Sequence, residues 1–232
     1  MNRQLLIGVD FDNTIADYDD LIFSIALERG FTAPGADRGK KSVRDAIRLL
    51  PEGDILWQSL QAEIYGPRMR DAKLKDGARE FFERCHGAGI TTCVISHKTE
   101  YAGMDTTGTN LRSAAMGWMA GQGFFSPGGL GLKPGQVYFE STRFEKVERI
   151  GAAGCTHFID DLEEVFLEDS FPADVGKILF CQEGQGPFPP GVVVMKTWKE
   201  IEGFFFAASP DSRSTSASPG SPDPGPSAKA GL

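Results

Sequence analysis

Short apolar runs alternate with longer amphipathic segments along much of the chain. Short apolar runs bounded by polar residues are typical of buried strands. They lie at residues 5–9, 90–95, 137–139, 157–159, 177–181 and 192–195. The segments between the later runs place apolar residues at helical spacing. Because strand and helix alternate from residue 76 onward, the pattern predicts parallel βαβ units and an α/β fold.

The segment between the first two predicted strands has a different pattern. Residues 17–74 contain three helical patterns separated by loops rich in Gly and Pro, and they show no clear strand. This is more chain than one crossover helix requires. We therefore predict a core formed by residues 1–16 and 75–207, with residues 17–74 inserted as a helical cap. Ser42 with Asp45 predicts a capping box in the cap, and Thr142 with Glu145 predicts one in the core.

The composition narrows the class of protein. The hydrophobic content of 41% and the charged content of 24% are ordinary for a soluble globular chain. The net charge of -8 disfavours binding to a nucleic-acid backbone. Four dispersed cysteines without metal-ligand spacing, no long apolar span and no signal-peptide pattern lead us to expect a cytoplasmic protein with no membrane segment. Residues 208–232, which are rich in Ser, Pro and Gly, predict a disordered tail.

Polar side chains follow several of the predicted strands. They are Asp10 and Asp12 after the first strand, Ser96 after the second, and Asp160 and Asp161 after the fourth. Because parallel strands end at the same edge of a sheet, we expect these groups to converge, with Lys146 from the helix before the fourth strand. Carboxylates that are brought together repel each other, and a hard cation such as Mg²⁺ relieves this repulsion. A lysine and a serine in the same crevice suit a phosphate.

The same residues resemble, in order, the four motifs of the haloacid dehalogenase-like (HAD) superfamily, whose members are mostly phosphohydrolases. The matching segments are Asp10-Phe11-Asp12-Asn13-Thr14, Val94-Ile95-Ser96, Lys146 and Phe158-Ile159-Asp160-Asp161. Together they span residues 5–167, which is nearly the whole predicted folded part. The resemblance implies a Rossmann-like, three-layer parallel sheet with a small helical cap between the first two motifs.

The resemblance also implies roles for the matched residues. Asp10 would attack phosphorus and form an aspartyl-phosphate. Asp12 would protonate the leaving oxygen and later deprotonate the attacking water. Mg²⁺ would be held by the carboxylates of Asp10 and Asp161 and by the main-chain carbonyl of Asp12, with Asp160 as a ligand or a supporting group. Ser96 and Lys146 would hold the phosphoryl group, and Thr14 and His97 are further phosphate-binding candidates.

Several alternatives stay open at this point. Lys133, in a glycine-rich loop, competes with Lys146 for the phosphate-binding role. His97 and Lys98 could touch substrate or could equally be solvated loop residues. The preferred function is hydrolysis of a small phosphorylated metabolite, such as a sugar phosphate or a nucleotide. A dehalogenase is disfavoured because it does not need the second acid, Asp12. The alternatives are a phosphomutase or phosphotransferase, a polynucleotide end-phosphatase, and a non-catalytic binding or regulatory protein.

Overall fold

The computed structural model describes residues 4–182 and 188–207. In chain order its strands are β1 (Leu6–Val9), β2 (Ala16–Asp17), β3 (Lys73–Leu74), β4 (Thr91–His97), β5 (Val137–Glu140), β6 (His157–Asp160), β7 (Gly176–Phe180) and β8 (Val192–Met195). Its α-helices are α1 (Asp19–Glu28), α2 (Lys40–Arg48), α3 (Gly53–Tyr65), α4 (Ala78–Gly87), α5 (Leu111–Gly121), α6 (Arg143–Ala152), α7 (Glu163–Phe166) and α8 (Trp198–Phe206). Among these described residues, no helix is long and apolar enough to cross a membrane. The predicted tail, residues 208–232, lies outside the described residues.

Six of the strands form one parallel sheet in the order β5-β4-β1-β6-β7-β8. Successive side chains of a strand point to opposite faces, so each face of the sheet builds its own core. Val9 and Val94 pack in a core with helices α4 and α8. Ile95 and Phe158 pack in a second core with helices α6 and α7. The predicted α/β fold, a Rossmann-like parallel sheet between two helical layers, is confirmed.

Strand β1 lies inside the sheet, between β4 and β6. The chain builds β4 and β5 on one side of β1 and then returns to build β6, β7 and β8 on the other side. Ligands of open α/β sheets bind beyond the carboxyl ends of the strands at such a reversal of strand order. Gly8 allows the close packing of this strand, because an added Cβ would lie 2.6 Å from a ring carbon of Phe158. The residues that follow Val9 therefore emerge in the crevice.

One short strand lies at each end of the inserted segment, and these two strands pair with each other. Strands β2 and β3 are antiparallel, with Ala16 opposite Leu74 and Asp17 opposite Lys73. The prediction that residues 17–74 contain no strand is wrong at these two ends, because two-residue strands are too short to produce an alternating pattern. Helices α1, α2 and α3 lie between the two strands. The division into core and cap remains a prediction.

The two predicted capping boxes have different outcomes. At α6 the Thr142 hydroxyl accepts from the Glu145 amide at 3.1 Å, and the Glu145 carboxylate accepts from the Thr142 amide at 3.0 Å. That capping box is confirmed. At α2 the prediction is wrong, because the helix starts after Gly39 without a side-chain cap. Ser42 lies inside the helix and donates its hydroxyl hydrogen to Asp37 at 2.8 Å.

Candidate active site

Asp10 lies immediately beyond β1, at the reversal of strand order. Its amide donates to the carbonyl of Ile159 at 2.8 Å, which continues the ladder between β1 and β6 by one residue. The chain then turns sharply, since the amides of Ile15 and Ala16 both donate to the carbonyl of Phe11. Asn13 completes this turn with a φ of 61°. The turn keeps Asp10 buried, with only 4% of its surface exposed.

The carboxylate of Asp10 receives two of the predicted partners on one oxygen. Ser96 donates its hydroxyl hydrogen to Asp10 Oδ1 at 2.9 Å, and Lys146 Nζ lies 2.6 Å from the same atom. The Lys146 ammonium also lies 2.6 Å from Asp160 Oδ2. The structure therefore brings together side chains from β1, β4, α6 and β6 that are up to 150 residues apart in the sequence.

Lys146 bridges two carboxylates although its side chain is only 2% exposed. Burial lowers the pKa of its ammonium, but the charges of Asp10 and Asp160 outweigh burial, so the net shift is upward. Lys146 therefore stays protonated at neutral pH. Lys133 is exposed, so the lysine at the start of α6 is the one that reaches Asp10.

Three acids form a cluster at this sheet edge. Asp10, Asp160 and Asp161 each offer a carboxylate oxygen, and these atoms lie within 4.8 Å of one another. Burial, together with the negative charge of Asp10, raises the pKa of Asp160 to about 7 despite the neighbouring Lys146. Burial and the other two carboxylates also raise the pKa of Asp161 well above its usual range. This concentration of negative charge in oxygen ligands fits a hard divalent cation such as Mg²⁺.

Asp12 has different partners, and none of them belongs to that acid cluster. Lys98 Nζ lies 2.8 Å from Asp12 Oδ2, and Tyr18 donates its hydroxyl hydrogen to Asp12 Oδ1 at 2.5 Å. Burial and the charge of Asp12 raise the pKa of Tyr18, so its phenol stays protonated as a donor. The Lys98 ammonium also lies 5.5 Å and 5.1 Å from the ring centroids of Phe11 and Tyr65. The side chain of Asp12 is thus fixed by a cation and a phenol.

Lys98, for which the sequence left a substrate contact and a solvated loop position open, is a buried partner of Asp12. The reading of Lys98 as a solvated loop residue is wrong, since its side chain is only 3% exposed. Strand β4 runs through His97, two residues further than the apolar run, and the Lys98 amide still donates to the carbonyl of Glu140 on β5 at 2.8 Å. Strand alternation then puts Ser96 and Lys98 on one side and His97 on the other. Extending the alternation past Ile95 would have found Lys98.

The two remaining phosphate-binding candidates, His97 and Thr14, make no contact with Asp10 among the hydrogen bonds of the described residues. His97 is exposed, and its ring contacts the carbonyl of Ser141 at 3.0 Å, so the structure does not bring it to Asp10. Thr14 is fully buried, and its carbonyl accepts from the indole of Trp198 at 3.1 Å. Its hydroxyl has no hydrogen-bond partner among the described residues. A phosphate contact for either residue stays a prediction.

The serine, the buried lysine and the acid cluster lie around Asp10 at the carboxyl edge of the parallel sheet, where the four motifs predict them. Solved structures share this fold. A haloacid dehalogenase-like hydrolase from Burkholderia xenovorans LB400 is 13% identical with a TM-score of 0.51, over 86% of this chain and 95% of that one. A haloacid dehalogenase-like protein from Agrobacterium tumefaciens C58 is 13% identical with a TM-score of 0.50, over 88% and 99%.

A third similar structure is a dehalogenase in an intermediate complex, 11% identical with a TM-score of 0.51, over 87% of this chain and 96% of that one. No protein-family model and no curated protein matches the sequence. The likeness establishes the haloacid dehalogenase-like fold that the four motifs implied. At such low identity it does not fix the reaction, which has to be inferred from the site.

Proposed function

We propose that the protein is a Mg²⁺-dependent phosphohydrolase that acts on a small phosphorylated metabolite through an aspartyl-phosphate on Asp10. The observation that carries this proposal is the separation of two acids at one strand end. Asp10 lies in the acid cluster beside Lys146, whereas Asp12 lies between Lys98 and Tyr18. Two carboxyl groups in different surroundings can divide nucleophilic and proton-transfer work.

The residues of the chain supply each step. An Asp10 oxygen forms a bond to phosphorus while the bond from phosphorus to the leaving oxygen breaks, and Asp12 gives that oxygen a proton. Asp12 then takes a proton from water, whose oxygen attacks phosphorus and releases phosphate from Asp10. Lys146 and Ser96, which already contact Asp10, hold and neutralise the transferring group. Mg²⁺, held by Asp10, Asp161 and Asp160, would mask the repulsion between the carboxylate and the anionic phosphate.

The other functions differ in what they require. A dehalogenase needs a nucleophile but no acid in the position of Asp12, which here has two dedicated partners. A polynucleotide end-phosphatase would need a cationic surface, and the chain carries a net charge of -8. A phosphomutase or phosphotransferase would use the same residues and pass the phosphoryl group to an acceptor other than water. A non-catalytic binding protein would show no turnover at all.

Turnover of p-nitrophenyl phosphate, sugar phosphates and nucleotides with Mg²⁺ tests the proposal. Asp10→Asn should abolish phosphate release, whereas Asp169→Asn, a change at an exposed acid, should leave it unchanged. A ³²P-labelled substrate quenched in acid should leave label on the wild-type protein and none on Asp10→Asn. Activity that survives Asp10→Asn or chelation of the metal would contradict the mechanism. Halide release from 2-chloropropionate would instead identify a dehalogenase.

A further inference from the structure

A cavity of about 510 Å³ opens between the acid cluster and the inserted helices. Asn13 and Asp161 lie on the sheet side of this cavity. The first turn and a half of α2 forms another part of its wall, through Lys40, Lys41, Ser42 and Arg44. A volume of this size is typical of sites for small-molecule ligands. Asp161 of the acid cluster and the first turn and a half of α2 therefore line the same cavity.

The α2 wall carries positive charge where a helix normally disfavours it. Helix N-termini are partly positive and attract acidic residues, yet the first turn of α2 contains no acid and opens with Lys40 and Lys41. The preceding Gly39 provides no side-chain cap. Arg44 adds a third cation one turn later. Two lysines at an N-terminus are unfavourable on their own and become favourable when an anion binds between them and the helix end.

Lys40 links this wall to the catalytic groups. Its side chain is half-buried. Burial lowers the pKa of its ammonium, but the Tyr65 hydroxyl and the carboxylates of Asp161 and Asp12 raise it more, so the net shift is upward. Lys40 and Asp161 line the same cavity, so the cationic start of α2 and the acid cluster open onto one space.

The other charged residues of the cavity lining are Asp19, Asp37 and Lys75. Lys75 pairs with Asp17 at 3.1 Å. Asp37 accepts from the amide of Gly39 at 2.9 Å and from the hydroxyl of Ser42 at 2.8 Å, so it holds the start of α2 in place. Arg44 pairs with its neighbour Asp45 at 2.8 Å, but both side chains of this pair are partly exposed to solvent. A pair of this kind is weak and exchanges easily for a better anion.

We propose that the substrate carries a second anionic group, a phosphate or a carboxylate, which Lys41 and Arg44 bind from the α2 wall of the cavity. This inference rests on the proposed function, and it narrows the substrate to small molecules with two anionic ends. A sugar phosphate with no second charged group would offer Lys41 and Arg44 no anion to bind.

Three matched ligands test the inference: glucose 6-phosphate, 6-phosphogluconate and glucose 1,6-bisphosphate. All three have a six-carbon body with a phosphate at C6. At the C1 end the group is neutral in the first ligand, a carboxylate in the second and a phosphate in the third. For wild-type protein with Mg²⁺ we expect kcat/KM to be at least about tenfold higher for one of the two doubly anionic ligands than for glucose 6-phosphate. The ligand with the higher value identifies the second group. Lys41→Gln/Arg44→Gln should bring that ratio close to one.

Arg48→Gln is the matched control. Arg48 lies at the end of the same helix, where it pairs with Asp54 at 2.9 Å, and it lies outside the cavity lining. This variant should keep the wild-type ratio. Because Lys41 is exposed and Arg44 is partly exposed, the double variant should not lower the melting temperature. The single variants Lys41→Gln and Arg44→Gln should each lower the ratio part of the way.

Calorimetric titration with the three ligands separates binding from turnover. The titrated proteins are Asp10→Asn in the presence of Mg²⁺ and the wild type in the presence of EDTA. Both should bind the preferred doubly anionic ligand more tightly than glucose 6-phosphate, and Lys41→Gln/Arg44→Gln should abolish the difference. Equal affinities and equal kcat/KM values for all three ligands would overturn the inference while leaving the phosphohydrolase intact. Preferential binding without turnover of any phosphate would overturn the proposed function and support the anion site.

Discussion

Replacing Lys146 with Met tests the buried charge network on which the site depends. The Lys146 ammonium lies 2.6 Å from an oxygen of Asp10 and 2.6 Å from an oxygen of Asp160. At an effective dielectric constant of about 20, each contact is worth about 6 kcal/mol of Coulomb attraction. Most of this offsets the cost of taking the charges out of water. Removing one partner from a buried network of this kind costs about 3–5 kcal/mol, and we expect that loss in the free energy of unfolding.

Urea unfolding with EDTA measures this loss, with Lys133→Met as the control. Lys133→Met, a change at an exposed residue, should lower the free energy of unfolding by no more than about 0.5 kcal/mol. The deficit of Lys146→Met should grow as the pH rises. Burial already raises the pKa of Asp160 to about 7 with the ammonium present. Without the ammonium, the folded state keeps that proton to higher pH, whereas the unfolded state releases it near its ordinary, lower pKa.

The double variant Lys146→Met/Asp160→Asn separates charge from packing. If the deficit comes from uncompensated carboxylates, removing one of them should recover part of the lost stability. If it comes from lost packing, the second change should add a further cost. A deficit for Lys146→Met that matches Lys133→Met, or one that does not depend on pH, would refute the electrostatic account.

Three further predictions concern packing, the metal and Asp12. Gly8→Ala should lower the free energy of unfolding by about 1–3 kcal/mol, since its Cβ would lie 2.6 Å from a ring carbon of Phe158. The control is Gly117→Ala, in a helix where no atom lies within 4 Å of the added Cβ. It should instead raise the free energy of unfolding by about 0.5–1 kcal/mol in the same urea assay. Saturating Mg²⁺ should stabilise the wild type by about 2.7 kcal/mol at a hundred times its dissociation constant, and a thermal shift that persists in Asp161→Asn would argue against the proposed metal site. Lys98→Met should lower kcat/KM more for an alkyl phosphate than for p-nitrophenyl phosphate, because the poorer leaving group depends on the proton donor that Lys98 positions; equal losses on both would indicate a purely structural role.

The sequence determined the sheet and the residues at its edge because both depend on local signals. Apolar runs mark the strands, and the polar residues that end each run mark where Asp10 and Asp160 emerge. The capping box of Thr142 and Glu145 places Lys146 in the first turn of α6, and the structure contains that box. These features need only a few neighbouring residues, so they can be recognised without the fold.

Only the tertiary structure decided which charged groups are buried together. Lys98 becomes a partner of Asp12 because β4 runs past its apolar segment and the rings of Phe11 and Tyr65 enclose the ammonium. Lys40 lines one cavity with Asn13 and Asp161 because the fold brings the start of α2 near the residues that follow β1 and β6. Burial and long-range charge set these interactions, and both depend on residues that are distant in sequence. Local sequence therefore determines where the strands end, whereas tertiary packing determines the surroundings that give each acid its chemistry.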